Sequence, residues 1–342
     1  MKQRILMVCA ALSLTGFAEE AKPTARLQED FLQWKFGLFL HFNVATFNNE
    51  EWANGYEDPA TFAPDKLDCG QWADAARAAG MNYAVLTVKH TGGWCLWDSR
   101  HTTHDATAFA NYKRGKGDVV RDFVEAFRAR GLKVGLYYCM PGDYTGRYGN
   151  ILPAGKPDLH GLPPEAAGDY TGFIKKQFTE LLTNYGPIDL LWIDQWGNPY
   201  TGKDWQSLKE HIKSLQPNCL VLANNAHSFK QTDICGYELP IFKDKRLEDV
   251  LPATNTIPSE VCDKLGPGWF WNQNRDETEL QPAERVAAMV KLCNERHANY
   301  LLDVAPDMPG RIPELSVKRL REIGKLLAVS PAVISGNENR KP

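Results

Sequence analysis

Leu190-Leu191-Trp192-Ile193-Asp194 is the stretch on which the fold turns. Four large apolar residues run without a polar break and end on a carboxylate. A short apolar run of this kind, bounded by helices, reads as a strand of a parallel sheet buried on both faces. Upstream, Phe173, Ile174, Phe178, Leu181, Leu182 and Tyr185 recur at helical spacing, and Gly186-Pro187 ends that helix. Downstream, Leu208, Ile212 and Leu215 mark another helix, which stops at Pro217, and Cys219 to Ala223 is the next apolar strand.

The same rhythm extends in both directions. Toward the N-terminus, Phe36 to Phe42 reads as a strand, Gln71 to Ala79 as a helix stopped by Gly80, and Tyr83 to Val88 as a second strand. Asp118 can cap a helix whose apolar face is Val119, Val120, Phe123, Val124 and Phe127; Gly131 ends it and Lys133 to Tyr138 is a third strand. Beyond Asn224 the pattern is less regular as far as Trp271. A helix marked by Val286, Met289, Val290 and Cys293, a late strand from Tyr300 to Val304 and a closing helix with Leu315, Leu320, Ile323, Leu326 and Leu327 then follow. Repeated βα units over about 300 residues predict an α/β fold, a TIM-like (β/α)8 barrel forming a single catalytic domain over residues 25–330 with a tail at 331–342. A doubly wound sheet would need a Gly-rich phosphate loop after its first strand, where His41-Phe42-Asn43-Val44 stands instead. The Gly- and Pro-rich segment from Met140 to Ala167 reads as a long loop over the barrel mouth.

Composition agrees with a globular chain. Of 342 residues, 43% are hydrophobic and 24% charged, which excludes collagen-like and wholly disordered classes. A net charge of −3 gives no electrostatic footprint for nucleic acid. Lys2 and Arg4 precede an apolar run from Ile5 to Leu14, and Gly16 and Ala18 supply small residues for a cut. Residues 1–18 thus read as a signal peptide, too short for a membrane span, which predicts a secreted or periplasmic protein without a lipid anchor. Eight cysteines, one of them in that leader, leave an odd number in the mature chain, several of them inside apolar runs. Few disulfides are expected, and no C-x-x-C pair suggests zinc. His101 and His104 lie at H-x-x-H spacing without helical periodicity, so no metal site is assigned.

In a parallel barrel the site forms at the C-terminal ends of the strands. Those ends carry His41, Lys89-His90, Tyr137-Tyr138 and Asp194 in succession. One strand-end acid is usually a turn or a cap; four successive polar endings are a pattern. Asp194 emerges between Trp192 and Trp196, and a carboxylate among aromatic faces suits the nucleophile of a glycosidase.

These residues resemble glycoside hydrolase family 29, the retaining α-L-fucosidases, over about Trp34 to Leu327. The ordered motifs are Lys35-Phe36-Gly37-Leu38-Phe39-Leu40-His41-Phe42, Glu51-Trp52, Val85-Leu86-Thr87-Val88-Lys89-His90, Gly135-Leu136-Tyr137-Tyr138, Leu191-Trp192-Ile193-Asp194 and Asn299-Tyr300-Leu301-Leu302-Asp303-Val304-Ala305-Pro306-Asp307. The resemblance implies that Asp194 is the nucleophile, that His41, His90 and Tyr138 contact fucose hydroxyls, and that Glu51 and Trp52 complete the wall. Trp94, Trp192 and Trp269 would offer apolar faces to the sugar. It implies either Glu238 or Glu260 as acid/base, Glu238 being preferred, and no cofactor or metal. Glu51-Trp52 with Gly55, Pro258-Ser259-Glu260 and Gly266-Pro267-Gly268-Trp269-Phe270 look like the subgroup acting on α-1,3/1,4-linked fucose.

Several positions depart from the family pattern. His90-Thr91-Gly92-Gly93-Trp94 stands where His-His-Asp-Gly-Phe is usual, Gln195 where Gly usually follows the nucleophile, and Asn224-Asn225-Ala226-His227 lacks an Arg. The C-terminal β-sandwich common in the family is not expected in this chain. The expected substrate is a fucosylated oligosaccharide or glycoconjugate. The alternatives are a relative acting on another α-glycoside and a non-catalytic sugar-binding protein.

Overall fold

The computed structural model describes residues 20–140, 168–197, 202–239 and 251–328. The leader, most of the long loop after Met140 and the C-terminal tail lie outside them. Eight parallel strands close on one another in chain order. They are β1 (Phe36–Leu40), β2 (Tyr83–Lys89), β3 (Lys133–Cys139), β4 (Leu190–Asp194), β5 (Leu220–Ala223), β6 (Ile234–Glu238), β7 (Ser259–Lys264) and β8 (Ala298–Asp303), and β8 pairs back onto β1.

Helices α1 (Thr24–Leu32), α2 (Val44–Asn48), α3 (Cys69–Ala78), α4 (Val119–Arg128), α5 (Tyr170–Asn184), α6 (Trp205–Leu215), α7 (Ala283–Glu295) and α8 (Glu314–Ala328) accompany them. Asp68, Asp118 and Asp169 each accept a backbone N–H three residues on, and so start α3, α4 and α5. No helix stands between β5 and β6 among the described residues.

Two strands fall in the stretch that lacked a regular pattern. Both β6 and β7 carry polar or small residues where the barrel interior needs them, as in Ile234-Cys235-Gly236-Tyr237-Glu238 and Ser259-Glu260-Val261-Cys262-Asp263-Lys264. An apolar-run criterion cannot see such strands.

Alternation along the strands sorts side chains into two cores. Phe39, Tyr83, Val85, Tyr137, Leu190, Trp192, Leu222, Ile234, Cys262 and Leu301 fill the barrel, with Leu27 and Phe31 of α1 packed against them. Leu38, Leu86, Leu136, Tyr138, Leu191, Ile193, Val221, Val261 and Leu302 face outward and bury the apolar stripes of the helices. Space inside is made by glycine: a Cβ on Gly37 would stand 2.4 Å from the Tyr83 ring. The seven cysteines among the described residues are buried and form no disulfide with one another. No described helix is long and apolar enough to cross a membrane.

Candidate active site

Residues at the mouth are set by the inward phase of each strand. On β1 that phase reaches His41; on β3, Tyr137; on β4, Trp192 and then Asp194; on β6, Glu238. On β2 it would have delivered Lys89, but the register against β3 slips between Thr87 and Lys89. This bulge re-aims the strand end. Lys89 turns outward, donating to Tyr138 Oη and Gln177 Oε1 at 2.9 Å each, and His90 enters the mouth.

Aromatic rings then line one side as a continuous surface. His90 stacks on Tyr137 with centroids 5.5 Å apart, and Tyr137 stacks on Trp192 at 5.2 Å. His41 lies 5.7 Å from His90 and 5.1 Å from Trp269, which closes the opposite side. Phe270 packs edge-on against both histidines. Such walls offer apolar faces to the C–H surface of a pyranose and ring nitrogens to its hydroxyls.

Asp194 is half-buried and accepts three hydrogen bonds. Its own next amide, Gln195 N–H, donates to Oδ1 at 2.9 Å; Asn224 Nδ2 donates to Oδ1 at 3.1 Å; Tyr137 Oη donates to Oδ2 at 2.8 Å. Gln195 itself adopts φ 51°, a left-handed backbone that favours glycine, the residue usual at this position in the family it resembles. Burial and the Asp194 charge keep the Tyr137 hydroxyl protonated, so it remains a donor. Three donors thus converge on the Asp194 carboxyl group.

Glu238 faces it. Asn224 Nδ2 also donates to Glu238 Oε2 at 2.8 Å, and the Glu238 amide donates to Asn225 Oδ1 at 3.1 Å. Two oxygens sharing one amide nitrogen at 3.1 and 2.8 Å are within about 6 Å of each other, the separation at which a pair of carboxyls can attack and protonate the same glycosidic bond. Burial, with the Asp194 charge added, pushes the Glu238 carboxyl up to about 7. The two acids therefore sit in different surroundings: three donors converge on Asp194, whereas burial raises Glu238 toward neutrality.

His41 Nδ1 lies 2.7 Å from Asp303 Oδ1 at the end of β8. Burial disfavours charge on either partner, holding His41 down at about 3 and Asp303 well above the usual carboxylate range, so the pair carries no net charge. His90 is likewise pushed down by burial and by its neighbour His41. Both imidazoles are neutral at working pH and present hydrogen-bonding nitrogens rather than positive charge.

Four expected site residues stand elsewhere or act indirectly. Tyr138 points out of the barrel, bonded to Lys89 and Gln177 and packed on Phe178; the tyrosine in the mouth is Tyr137, one residue earlier and in the opposite phase. Glu260 points inward one layer below the mouth, level with Gly236 in the ladder, where Tyr83 Oη (2.7 Å) and Trp192 Nε1 (2.8 Å) seal its two oxygens. It braces Trp192 and does not face Asp194. Trp94 packs into the outer core, stacked on His104 at 4.0 Å with its N–H given to Glu57. Glu51 accepts from Trp269 N and from Arg275 Nη1, so its carboxylate fastens the loop after β1 to the loop after β7. Trp52 is half-buried beside it. His101 and His104 serve different partners, Glu180 and Trp94.

Sequence reasoning gave no site role to Asn224, Asp303 and Phe270, and gave the contact of strand three to Tyr138 rather than to Tyr137. Strand phase was the available signal for Tyr137, Asn224 and Asp303: Tyr137 and Asp303 keep step with interior neighbours on β3 and β8, and Asn224 continues the inward phase of Leu222 just past the end of β5.

Comparison with known proteins bears on the family and the fold. A family model described as Alpha-L-fucosidase matches residues 15–331. The chain is 28% identical to alpha-L-fucosidase 1 of Arabidopsis thaliana, over 91% of this chain and 61% of that one. It is 32% identical to the human plasma alpha-L-fucosidase, over 95% of this chain and 73% of that one. Among solved structures, alpha-L-fucosidase isoenzyme 1 from Paenibacillus thiaminolyticus superposes with a TM-score of 0.69 at 29% identity, over 88% of this chain and 76% of that one. The chain thus spans under two thirds of the Arabidopsis relative's length and about three quarters of the human one's.

Proposed function

This chain belongs to the α-L-fucosidase family, and from that premise we propose that it is a retaining exo-glycosidase removing terminal α-L-fucose. Asp194 attacks the anomeric carbon while the protonated Glu238 gives its proton to the departing glycosidic oxygen. The C–O bond breaks and a glycosyl ester of Asp194 forms. Water then attacks the same carbon, Glu238 takes its proton, and Asp194 leaves as carboxylate. Neutral His41 and His90 orient hydroxyls, and Trp192, Tyr137 and Trp269 hold the apolar faces of the sugar.

The observation that carries this reading is the shared amide. One Asn224 nitrogen touches both carboxyls, at 3.1 and 2.8 Å, while burial raises the Glu238 carboxyl to about 7. A solvated pair of acids would have neither property.

A preference for α-1,3/1,4-linked fucose is part of the proposal. It is supported by the three motif segments that resemble that subgroup, two of which, around Glu51 and around Trp269, meet at one rim. Glu51 holds both Trp269 and Arg275, and Gly268 leaves no room for a Cβ beside that Arg275 side chain. Secretion or periplasmic export is likewise proposed, on the charged and apolar pattern of residues 1–18.

The test is a panel of nitrophenyl glycosides, including a galactoside, together with fucosylated oligosaccharides. Hydrolysis of the fucosides, with α-fucose as the first anomer seen by NMR, is expected. Asp194→Ala should lower turnover by roughly four or more orders of magnitude while melting normally. A folded, active Asp194→Ala, or β-fucose as first product, would overturn the assignment.

A further inference from the structure

The carboxamide between the two acids is itself unusual. Asn224 is 8% exposed, and its Oδ1 is buried with no hydrogen-bond partner. Buried polar atoms are almost always satisfied, and an exception marks a place where another requirement dominates. Here the requirement is visible. Flipping the amide would turn Oδ1 toward Asp194 Oδ1, acceptor against acceptor, and take this donor away from Asp194. The side chain therefore keeps both N–H groups on the acids and leaves its oxygen unmatched.

The surrounding backbone holds it there. Asn224 N–H donates to Ile193 O at 2.8 Å, and its carbonyl accepts from Trp196 Nε1 at 2.9 Å. The chain then turns through Asn225 at φ 55°, which brings the Asn225 side chain under the Glu238 amide.

Resting on the assignment of Glu238 as acid/base, we propose that Asn224 is a positioning residue whose amide clamps nucleophile and acid/base at the spacing retention requires and governs how the proton is divided between them. The groups facing Glu238 are Tyr137 from β3, Asp194 from β4, Cys262 and Lys264 from β7, and the two asparagines after β5. Burial and Asp194 favour its protonated form. Asn224, Asn225 and Lys264 favour the carboxylate. Withdrawing the Asn224 N–H takes a donor from both acids at once, so Glu238 titrates higher and the separation of the two carboxyls is no longer held.

The experiment compares wild type with Asn224→Leu, which fills the space without a donor, and with Asn224→Met, a more adaptable apolar substitute should Leu not fold. The Glu238 carboxyl is followed by NMR with carbon-13-labelled glutamate, its signal identified by loss in Glu238→Gln. The expected result is a titration about one pH unit higher in either apolar variant. With it should come a fall in kcat of about 10- to 100-fold and a KM changed by less than about threefold, the pattern of a lost transition-state arrangement. An unchanged or lowered titration in a folded variant would overturn the clamp. The titration needs no substrate, so it reads the clamp whether or not fucosides are hydrolysed. Activity of the wild-type protein on fucosides, with an alkaline limb that disappears in Glu238→Gln, reads the function separately.

Discussion

Adjacent tyrosines on β3 show how much one residue of phase decides. Tyr137 and Tyr138 have the same chemistry and nearly the same burial, yet one donates to Asp194 inside the barrel and the other to Gln177 outside it. Tyr137→Phe removes one of three donors from Asp194. It should lower kcat by about 10-fold or more, the equivalent of a hydrogen bond to a charged group. Tyr138→Phe leaves the mouth untouched; it should cost about 1 kcal/mol of stability and leave kcat within about twofold. Steady-state kinetics and urea unfolding of the two variants separate these roles, and the reverse ranking would return Tyr138 to the site.

At the scale of elements, two devices shape the mouth. The bulge in β2 sends Val88 and Lys89 outward in succession, which is what lets His90 stack on Tyr137. The second is the tie between the loops after β1 and β7. Arg275 holds Glu51 at 2.9 Å, and Glu51 holds the backbone of Trp269, whose ring lies against His41. The Arg275–Glu51 pair is partly buried, where an ion pair contributes more than at an open surface. Arg275→Met should free this wall without touching either acid. The expected outcome is a KM raised about 5- to 20-fold with kcat nearly unchanged, the signature of lost uniform binding. A fall in kcat at constant KM would show that the tie acts on the chemistry instead.

For the whole molecule, buried acids couple stability to pH. Burial raises Glu260 to about 7, as it does Glu238, against an ordinary value of 4.5. The folded chain therefore binds these protons more tightly than the unfolded one. Their stabilising contribution is complete below about 4.5 and is lost as pH rises through about 7, at about 1.4 kcal/mol for each unit of difference. The melting temperature should consequently fall between pH 5 and pH 8. Glu260→Gln, neutral throughout, can accept from Trp192 and donate to the Tyr83 hydroxyl, so it should flatten that dependence without unfolding the barrel. Scanning calorimetry across this range checks it, and an identical slope in wild type and variant would show that Glu260 stays ionised inside the barrel.

The barrel was legible in the chain because runs such as Leu190 to Asp194 must be buried on both faces, and the helix caps at Asp68, Asp118 and Asp169 act within three residues of sequence. The position of Asp194, the proposed nucleophile, was legible for the same reason: a carboxylate ending such a run must surface at the strand's C-terminal end. The polar strands β6 and β7, the outward turn of Tyr138, the sealed position of Glu260 and the bridging amide of Asn224 were not. Each depends on which face of a strand meets the barrel axis, and that phase is set by register with neighbouring strands. It arises from backbone pairing between residues far apart in the chain, and one bulge or one glycine is enough to change it.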